Sequence, residues 1–407
     1  MPLLLGLVYL APGARSFAAA ADFQTGEAAF HRKDYATAFR EWKALAKRGD
    51  AKAQFNLGNM YRNGQGVGRD YGQAAKWYRH AADQGDAKAQ FNLGLMYNDG
   101  RGVGRDYAEA VKWYHKAADQ GDARAQFNLG IMYDDGRGVG RDYAKAAKWY
   151  RHAADQGDTD AQFNLGLMYN DGQGVGRDYA KAAKWYRKAA DQGDAQAQFN
   201  LGDMYRNGQG VHRNYAETVK WYRKAAGQGH AKARYNLGLM YEIGQGVGRD
   251  YTEAVKWYRK AAGQGDARAQ SSLGNMYDNG RGVGRDYAEA AKWWRKAADQ
   301  GNARSQNNLG AMYERGQGVR HDDAEAVKWY RHAADQGNAD AQNNLGGMLA
   351  DGQGISQDYI KAYSWFSLAA AQGNANAIRN RDLVAKHMTP AQIAEGRKMA
   401  RNRRPVK

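Results

Sequence analysis

A phenylalanine followed by an asparagine recurs every 36 residues along this 407-residue chain, at Phe55-Asn56, Phe91-Asn92, Phe127-Asn128, Phe163-Asn164 and Phe199-Asn200, and once more as Tyr235-Asn236. The chemistry open to such a column is recognition. An amide donates and accepts, so it can hold the backbone of an extended peptide while the neighbouring ring takes up an apolar side chain. The same residues suit internal ladders, with asparagines bridging neighbouring copies and rings packing between them, and spacing alone leaves both readings open. Beyond Tyr235 the ring gives way to Ser271, Asn307 and Asn343, which bury little apolar area, so the expected binding surface lies in the first five or six copies.

Residues for covalent, phosphate or metal chemistry are poorly arranged. Gly64-Gln65-Gly66-Val67-Gly68 has the composition of a phosphate-cradling loop, but it recurs nine times and follows a helical pattern rather than a strand. His80, His152 and His332 share one place in three copies, where Arg or Lys often stands in the others, and no His-Glu-x-x-His occurs, so they read as surface substitutions. The few serines lie outside any nucleophile elbow. The absence of cysteine excludes disulfides and thiolate metal sites. Neither a cofactor nor a metal is expected.

The elements that would position the ring and amide columns are helices. Leu-Gly pairs at Leu57, Leu93, Leu129, Leu165, Leu201, Leu237, Leu273, Leu309 and Leu345 mark nine copies of one 36-residue repeat over 51–374. A period of this length marks a solenoid, in which each copy buries its apolar face only against its neighbours. In the first copy, Asp50 can cap a helix from Ala51 to about Asn63, with Phe55, Leu57, Met60 and Tyr61 at helical spacing and Gly64 closing it. A loop anchored by Val67 leads to Asp70, which can cap a second helix from Tyr71 to Gln84. Its packed side carries Ala74, Trp77, Tyr78, Ala81 and Ala82, and Gly85 closes it. Gly58 lies inside the first helix, where glycine costs about 1 kcal/mol relative to alanine, so a close helix contact is the expected compensation. The tryptophan column from Trp77 to Trp365 is expected to supply bulk.

The run Ala-Gln-Phe-Asn-Leu-Gly, Met-Tyr, Gly-Gln-Gly-Val, Arg-Asp-Tyr and Lys-Trp-Tyr-Arg-Lys-Ala-Ala-Asp-Gln-Gly-Asp resembles the Sel-one-like repeat (SLR) family, relatives of tetratricopeptide repeats with a longer inner loop. The resemblance implies an all-α, right-handed superhelical α/α solenoid of tandem helix-turn-helix repeats. It also implies a non-enzymatic scaffold or adaptor that takes a protein or extended peptide in its concave groove. In bacteria such proteins are associated with signalling, envelope functions and host interaction. Cysteine-rich members of the wider family have been described as β-lactamase-like; without their paired cysteines or a serine nucleophile motif, a hydrolase is the third reading for this chain.

The flanks complete the organisation. Residues 1–21 run from Leu3-Leu4-Leu5 to an alanine cluster and read as a signal peptide or a disordered leader, although no Lys or Arg precedes the apolar run. Residues 22–50 read as an N-terminal capping tetratricopeptide-like unit. Residues 375–407 read as closing helices, the last opened by Thr389-Pro390, followed by a frayed basic tail of Arg401, Arg403, Arg404 and Lys407. Export would place the chain in the periplasm or outside the cell; without a working signal it would be cytoplasmic. No apolar run is long enough for a transmembrane segment. The net charge of +17, of which +7 falls in the last 33 residues, supports a second reading, a cationic adhesion protein recognising an anionic envelope component. Nucleic acid is not an expected partner of an exported chain. Basic residues late in the second helix, such as Lys76 and Arg79, are expected to form a solvated face near the negative end of its dipole. N-terminal mass spectrometry of the native protein should find a chain trimmed near Ala20 or Ala21; an intact Met1 in a cytoplasmic fraction would refute export.

Overall fold

The computed structural model describes residues 21–403, and among them every regular element is an α-helix. The leader up to Ala20, and Arg404 and Lys407 of the basic tail, lie outside the described residues. Two compact bodies divide between Asp178 and Tyr179. The first holds the helices from Phe23–His31 to Thr159–Asp171, and the second those from Tyr179–Asp191 to Pro390–Asn402. In each body a helix packs on its sequence neighbours, as Tyr71–Asp83 packs on Ala51–Asn63 before it and Ala87–Asp99 after it. The chain is thus an all-α solenoid of helix pairs.

Local chemistry writes the boundaries. The Asp50 carboxylate accepts from the Ala53 amide at 2.7 Å and the Asp70 carboxylate from that of Gln73 at 2.9 Å, satisfying amides that a helix start leaves without intrahelical partners. Gly66 has φ +69°, and a β-carbon there would lie 2.3 Å from the Tyr35 carbonyl oxygen. The inner loop of one repeat therefore rests on the start of the preceding second helix, and only glycine fits.

Gly58 marks the closest approach within a repeat. A β-carbon at Gly58, Gly94 or Gly130 would stand 2.7, 2.7 or 2.5 Å from the ring of Tyr78, Tyr114 or Tyr150. In the second body the same contact joins Gly202, Gly238 and Gly310 to Tyr222, Tyr258 and Tyr330, while Trp294 and Phe366 serve as the ring for Gly274 and Gly346. The N-terminal cap uses Gly26 against Trp42, at 2.6 Å. The tryptophan column supplies bulk as expected, but less evenly from repeat to repeat than the ring on the glycine. Trp113, Trp185, Trp221, Trp329 and Trp365 are buried, whereas Trp77, Trp149, Trp257 and Trp293 are half-buried. Successive helix positions turn by about 100°, so the residue facing the glycine backbone is the one after the tryptophan, which itself packs to the side of that contact.

Glutamines stitch the repeats together. Gln90 Nε2 donates to the Ala82 carbonyl of the preceding repeat at 3.0 Å, and Gln120 Nε2 donates to Gln90 Oε1 at 2.8 Å. Gln126 and Gln156 repeat the pattern in the first body, and Gln306 and Gln336 in the second. Arg234 stands in this column and keeps the bond with Nε to the Ala226 carbonyl at 3.0 Å; Gln264 then donates to the Gly229 carbonyl instead.

At the C-terminal end, Thr389 and Gln392 form a capping box for Pro390–Asn402. The Arg403 guanidinium lies 4.2 Å from the centre of the Trp365 ring, so this part of the basic tail is seated rather than frayed. In denaturant titrations Gly130→Ala should lose about 1–3 kcal/mol through overpacking against Tyr150, more than the helix propensity gained. Gly140→Ala, where a β-carbon meets nothing within 4 Å, should stay within about 0.5 kcal/mol of wild type. Equal losses would show that the glycine–ring contact does not set the helix spacing.

Candidate functional site

The ring column sits on the first helices and rests on the buried tyrosines of the second. Ring centres are 5.9 Å apart for Phe55 and Tyr78, 6.0 Å for Phe91 and Tyr114, and 5.8 Å for Phe127 and Tyr150. Phe199 on Tyr222 and Tyr235 on Tyr258 are both at 5.7 Å. Phe91 and Phe199 are buried, whereas Phe55, Phe127, Phe163 and Tyr235 are half-buried. A lid covers the ring at three places, supplied twice by the next repeat and once by the residue that caps its first helix. Arg124 lies over Phe91 at 4.3 Å, Arg268 over Tyr235 at 4.4 Å, and His230 stacks on Phe199 at 4.7 Å. Among the described residues no such cation or histidine covers Phe55 or Phe127, which leaves those rings the more accessible members of the column.

The amide column reaches back toward the preceding repeat. Asn92 and Asn236 are buried; Asn56, Asn128, Asn164 and Asn200 are half-buried. Asn236 Nδ2 donates to the Tyr222 hydroxyl at 3.4 Å, and Asn92 and Asn164 lie near the hydroxyls of Tyr78 and Tyr150. The Asn200 amide oxygen instead accepts from Gln196 at 3.0 Å. In the last repeats the ladder becomes asparagine to asparagine, with Asn344 donating to Asn307 at 3.1 Å and Asn380 to Asn343 at 3.0 Å. Asn236 therefore bridges repeats, and Asn56 and Asn128, beside the rings without such a cover, are the ones best placed for a ligand.

Sequence reasoning missed how the buried tyrosine hydroxyls are satisfied. Burial pushes the Tyr78 phenol up to about 12, so it stays a donor and must find an acceptor. Tyr78 donates to Asn59 at 2.7 Å, Tyr222 to Asp203, Tyr258 to Glu242 at 2.5 Å and Tyr330 to Glu314 at 2.5 Å. The acceptors occupy two places of the first helix that differ from copy to copy, which hid their shared role.

The basic face is likewise more structured than expected. Arg79, Arg151 and Arg187 donate to the hydroxyls of Tyr97, Tyr169 and Tyr205 in the next repeat, and Arg223 to Tyr241 at 2.8 Å. The exposed side chain of Lys76 fits the solvated reading; the arginines are straps between repeats. His80, His152 and His332 are exposed, as expected, and each lies beside a tryptophan. Among the described residues no group of three or more His, Asp or Glu side chains could hold a metal ion.

This architecture defines the class as an α-solenoid of short tandem helix pairs. The Sel1 repeat matches nine consecutive segments, 51–86, 87–122, 123–158, 159–194, 195–230, 231–266, 267–302, 303–338 and 339–374, and the chain belongs to the Sel1 repeat family. A Sel1 repeat protein of Oxalobacter formigenes is 38% identical, with 75% of this chain and 88% of that one covered and a TM-score of 0.60. A protective antigen present in uropathogenic Escherichia coli strains, described as displaying an SLR fold, is 35% identical, with 90% and 94% covered and a TM-score of 0.53. No curated protein matches the chain. Sel1 repeat proteins are typically protein-interaction scaffolds, and the fold is typically non-enzymatic.

His230 gives this face a pH response. It replaces the capping aspartate, and its Nδ1 accepts from the Ala233 amide at 3.1 Å, which requires the neutral ring. Burial and then the nearby Lys232 hold its pKa below the ordinary 6.5. The unfolded chain therefore binds the proton more readily, so this contribution to stability is complete above the ordinary value and is lost as pH falls through the lower folded value. Denaturant midpoints at pH about 7.5 and about 5 should fall further for wild type than for His230→Asp, which restores a cap that needs no neutral ring. An equal fall would contradict the cap.

Proposed function

We propose that the chain is a scaffold that binds a protein or an extended peptide in the groove lined by its first helices. The observation that carries this reading is the pair of half-buried rings, Phe55 and Phe127, each followed by a half-buried asparagine and not covered by a cation of the next repeat. An apolar anchor beside a donor–acceptor amide matches the alternation of side chain and backbone in an extended peptide. Phe163 belongs to the same column. The protein works after export, a reading supported by the apolar leader and by likeness to a chain described as a protective antigen.

The cationic reading draws support from the net charge of +17. It is weakened by the engagement of Arg79, Arg151 and Arg223 with tyrosine hydroxyls and of Arg403 with Trp365. Salt titration separates the two, since association driven by exposed charge weakens steeply with ionic strength and ring burial does not. No helix among the described residues is long and apolar enough to cross a membrane.

A partner obtained by cross-linking from the native envelope provides the test. Replacing Phe127 and Phe163 together by alanine should weaken its binding about tenfold or more, with circular dichroism confirming the fold. Neutralising Arg401, Arg403 and Arg404 should leave affinity nearly unchanged; the reverse pattern would favour the cationic reading.

A further inference from the structure

Arg304 is an arginine whose seat is missing. Its equivalents in two earlier repeats, Arg124 and Arg268, each lie over a ring of the preceding copy, Phe91 at 4.3 Å and Tyr235 at 4.4 Å. Each is also held by the aspartate two residues before it, Asp122 at 2.7 Å and Asp266 at 2.8 Å. At Arg304 both supports are gone. The ring position is Ser271, and the capping residue is Asn302. Arg304 is exposed and has no ion-pair partner among the described residues, and it lines a cleft of about 480 Å³ between first helices of the second body. That volume lies within the range of about 300–1,000 Å³ usual for ligand sites.

The cleft's hydrogen-bonding groups are unevenly engaged. Trp294 Nε1 can only donate, so its 3.1 Å contact with Asn275 fixes the amide oxygen toward the indole and turns Nδ2 away from it. The Asn307 oxygen accepts from Asn344, and the Glu242 carboxylate accepts from Tyr258. The amide nitrogens of Asn275 and Asn307 have no acceptor among the described residues, and Arg315 joins Arg304 on the wall without an ion-pair partner among them. Arg281, the third guanidinium, lies over the Tyr251 ring at 5.6 Å. Three guanidinium groups face two carboxylates, Glu242 and Asp278, so the cleft carries a net positive charge and a surplus of donors.

We infer that this cleft binds an acidic peptide segment, with a carboxylate on Arg304 and backbone carbonyls on the Asn275 and Asn307 amides. Charge-assisted bonds from a guanidinium to a carboxylate are the stronger part of the contact, and the amides add register along the strand. The inference rests on the reading of the chain as a peptide-binding scaffold and adds the chemistry of one binding segment. It is centred on the seventh and eighth repeats, with Glu242 from the sixth and Asn344 from the ninth.

Fluorescence anisotropy of the full chain with fluorescein-labelled hexaglutamate tests it. Wild type should bind, and hexaglutamine should not compete. Arg304→Gln, an exposed substitution, should weaken binding about tenfold. Ser271→Phe with Asn302→Asp, which restores both supports to Arg304, should weaken it as well. Arg124→Gln removes one charge from an arginine already seated and should leave the affinity unchanged. An amidated C-terminus on the probe distinguishes a terminal carboxylate from a side-chain one as the preferred group. Absence of hexaglutamate binding, or equal effects of Arg304→Gln and Arg124→Gln, would overturn the cleft. The native partner could still be captured through Phe127 and Phe163, so this failure is distinguishable from failure of the scaffold reading.

Discussion

The repeat is organised by one close contact, the backbone of a mid-helix glycine against the face of an aromatic ring on the partner helix. Glycine inside a helix costs about 1 kcal/mol, while burying a large side chain contributes about 1.5–3 kcal/mol, so the exchange is favourable wherever the ring reaches the backbone. This contact sets the positions of the groups around it. With the tyrosine ring fixed on the glycine, its hydroxyl stands at the far edge of the interface and needs an acceptor, which Asn59, Asp203, Glu242 and Glu314 supply in turn. The adjacent tryptophan is turned away from the glycine, and a lysine one turn later can lie over it, as Lys188 does over Trp185 at 4.2 Å.

A second constraint comes from the shortness of the helices. Thirteen residues are marginal in isolation, so the repeats depend on bonds that cross between them. Buried glutamines provide one such line, the asparagine ladder a second, and the arginine-to-tyrosine straps a third. These lines engage many of the polar groups that a reading of the sequence would otherwise offer to a ligand. Function is then sought where the lines are interrupted: at Phe55 and Phe127, whose rings no cation of the next repeat covers, and at Arg304, whose ring and carboxylate have been replaced.

Much of this was legible in the sequence because identical spacing over nine copies reveals the period, the caps and the glycine positions. Asp50, Asp70, Gly64 and Gly85 mark helix ends by local chemistry alone, and the helices begin and end within two residues of those marks. The choice between Trp77 and Tyr78 as the ring on Gly58 was not legible, since adjacent apolar residues differ by only one helical step and the deciding geometry is tertiary. Gln54 carries no sequence mark of burial; its role depends on the Ala46 carbonyl of the preceding helix pair, and the exposed Gln84 then donates to Gln54 Oε1. Asn56 and its equivalents were legible as a column but not as ladder or ligand, and the structure divides them, with Asn236 bonded to Tyr222 of the preceding repeat and Asn200 to Gln196 of its own helix.

Internal seating decides which side chains remain for a partner. Side-chain ¹⁵Nε relaxation and hydrogen exchange of the arginines in the full-length, ligand-free protein measure this directly. Arg124 and Arg268, each held by a ring and a carboxylate, should be restrained and slow to exchange, whereas Arg304 should reorient freely and exchange rapidly. Equal restraint of all three guanidinium groups would show that seating does not separate them.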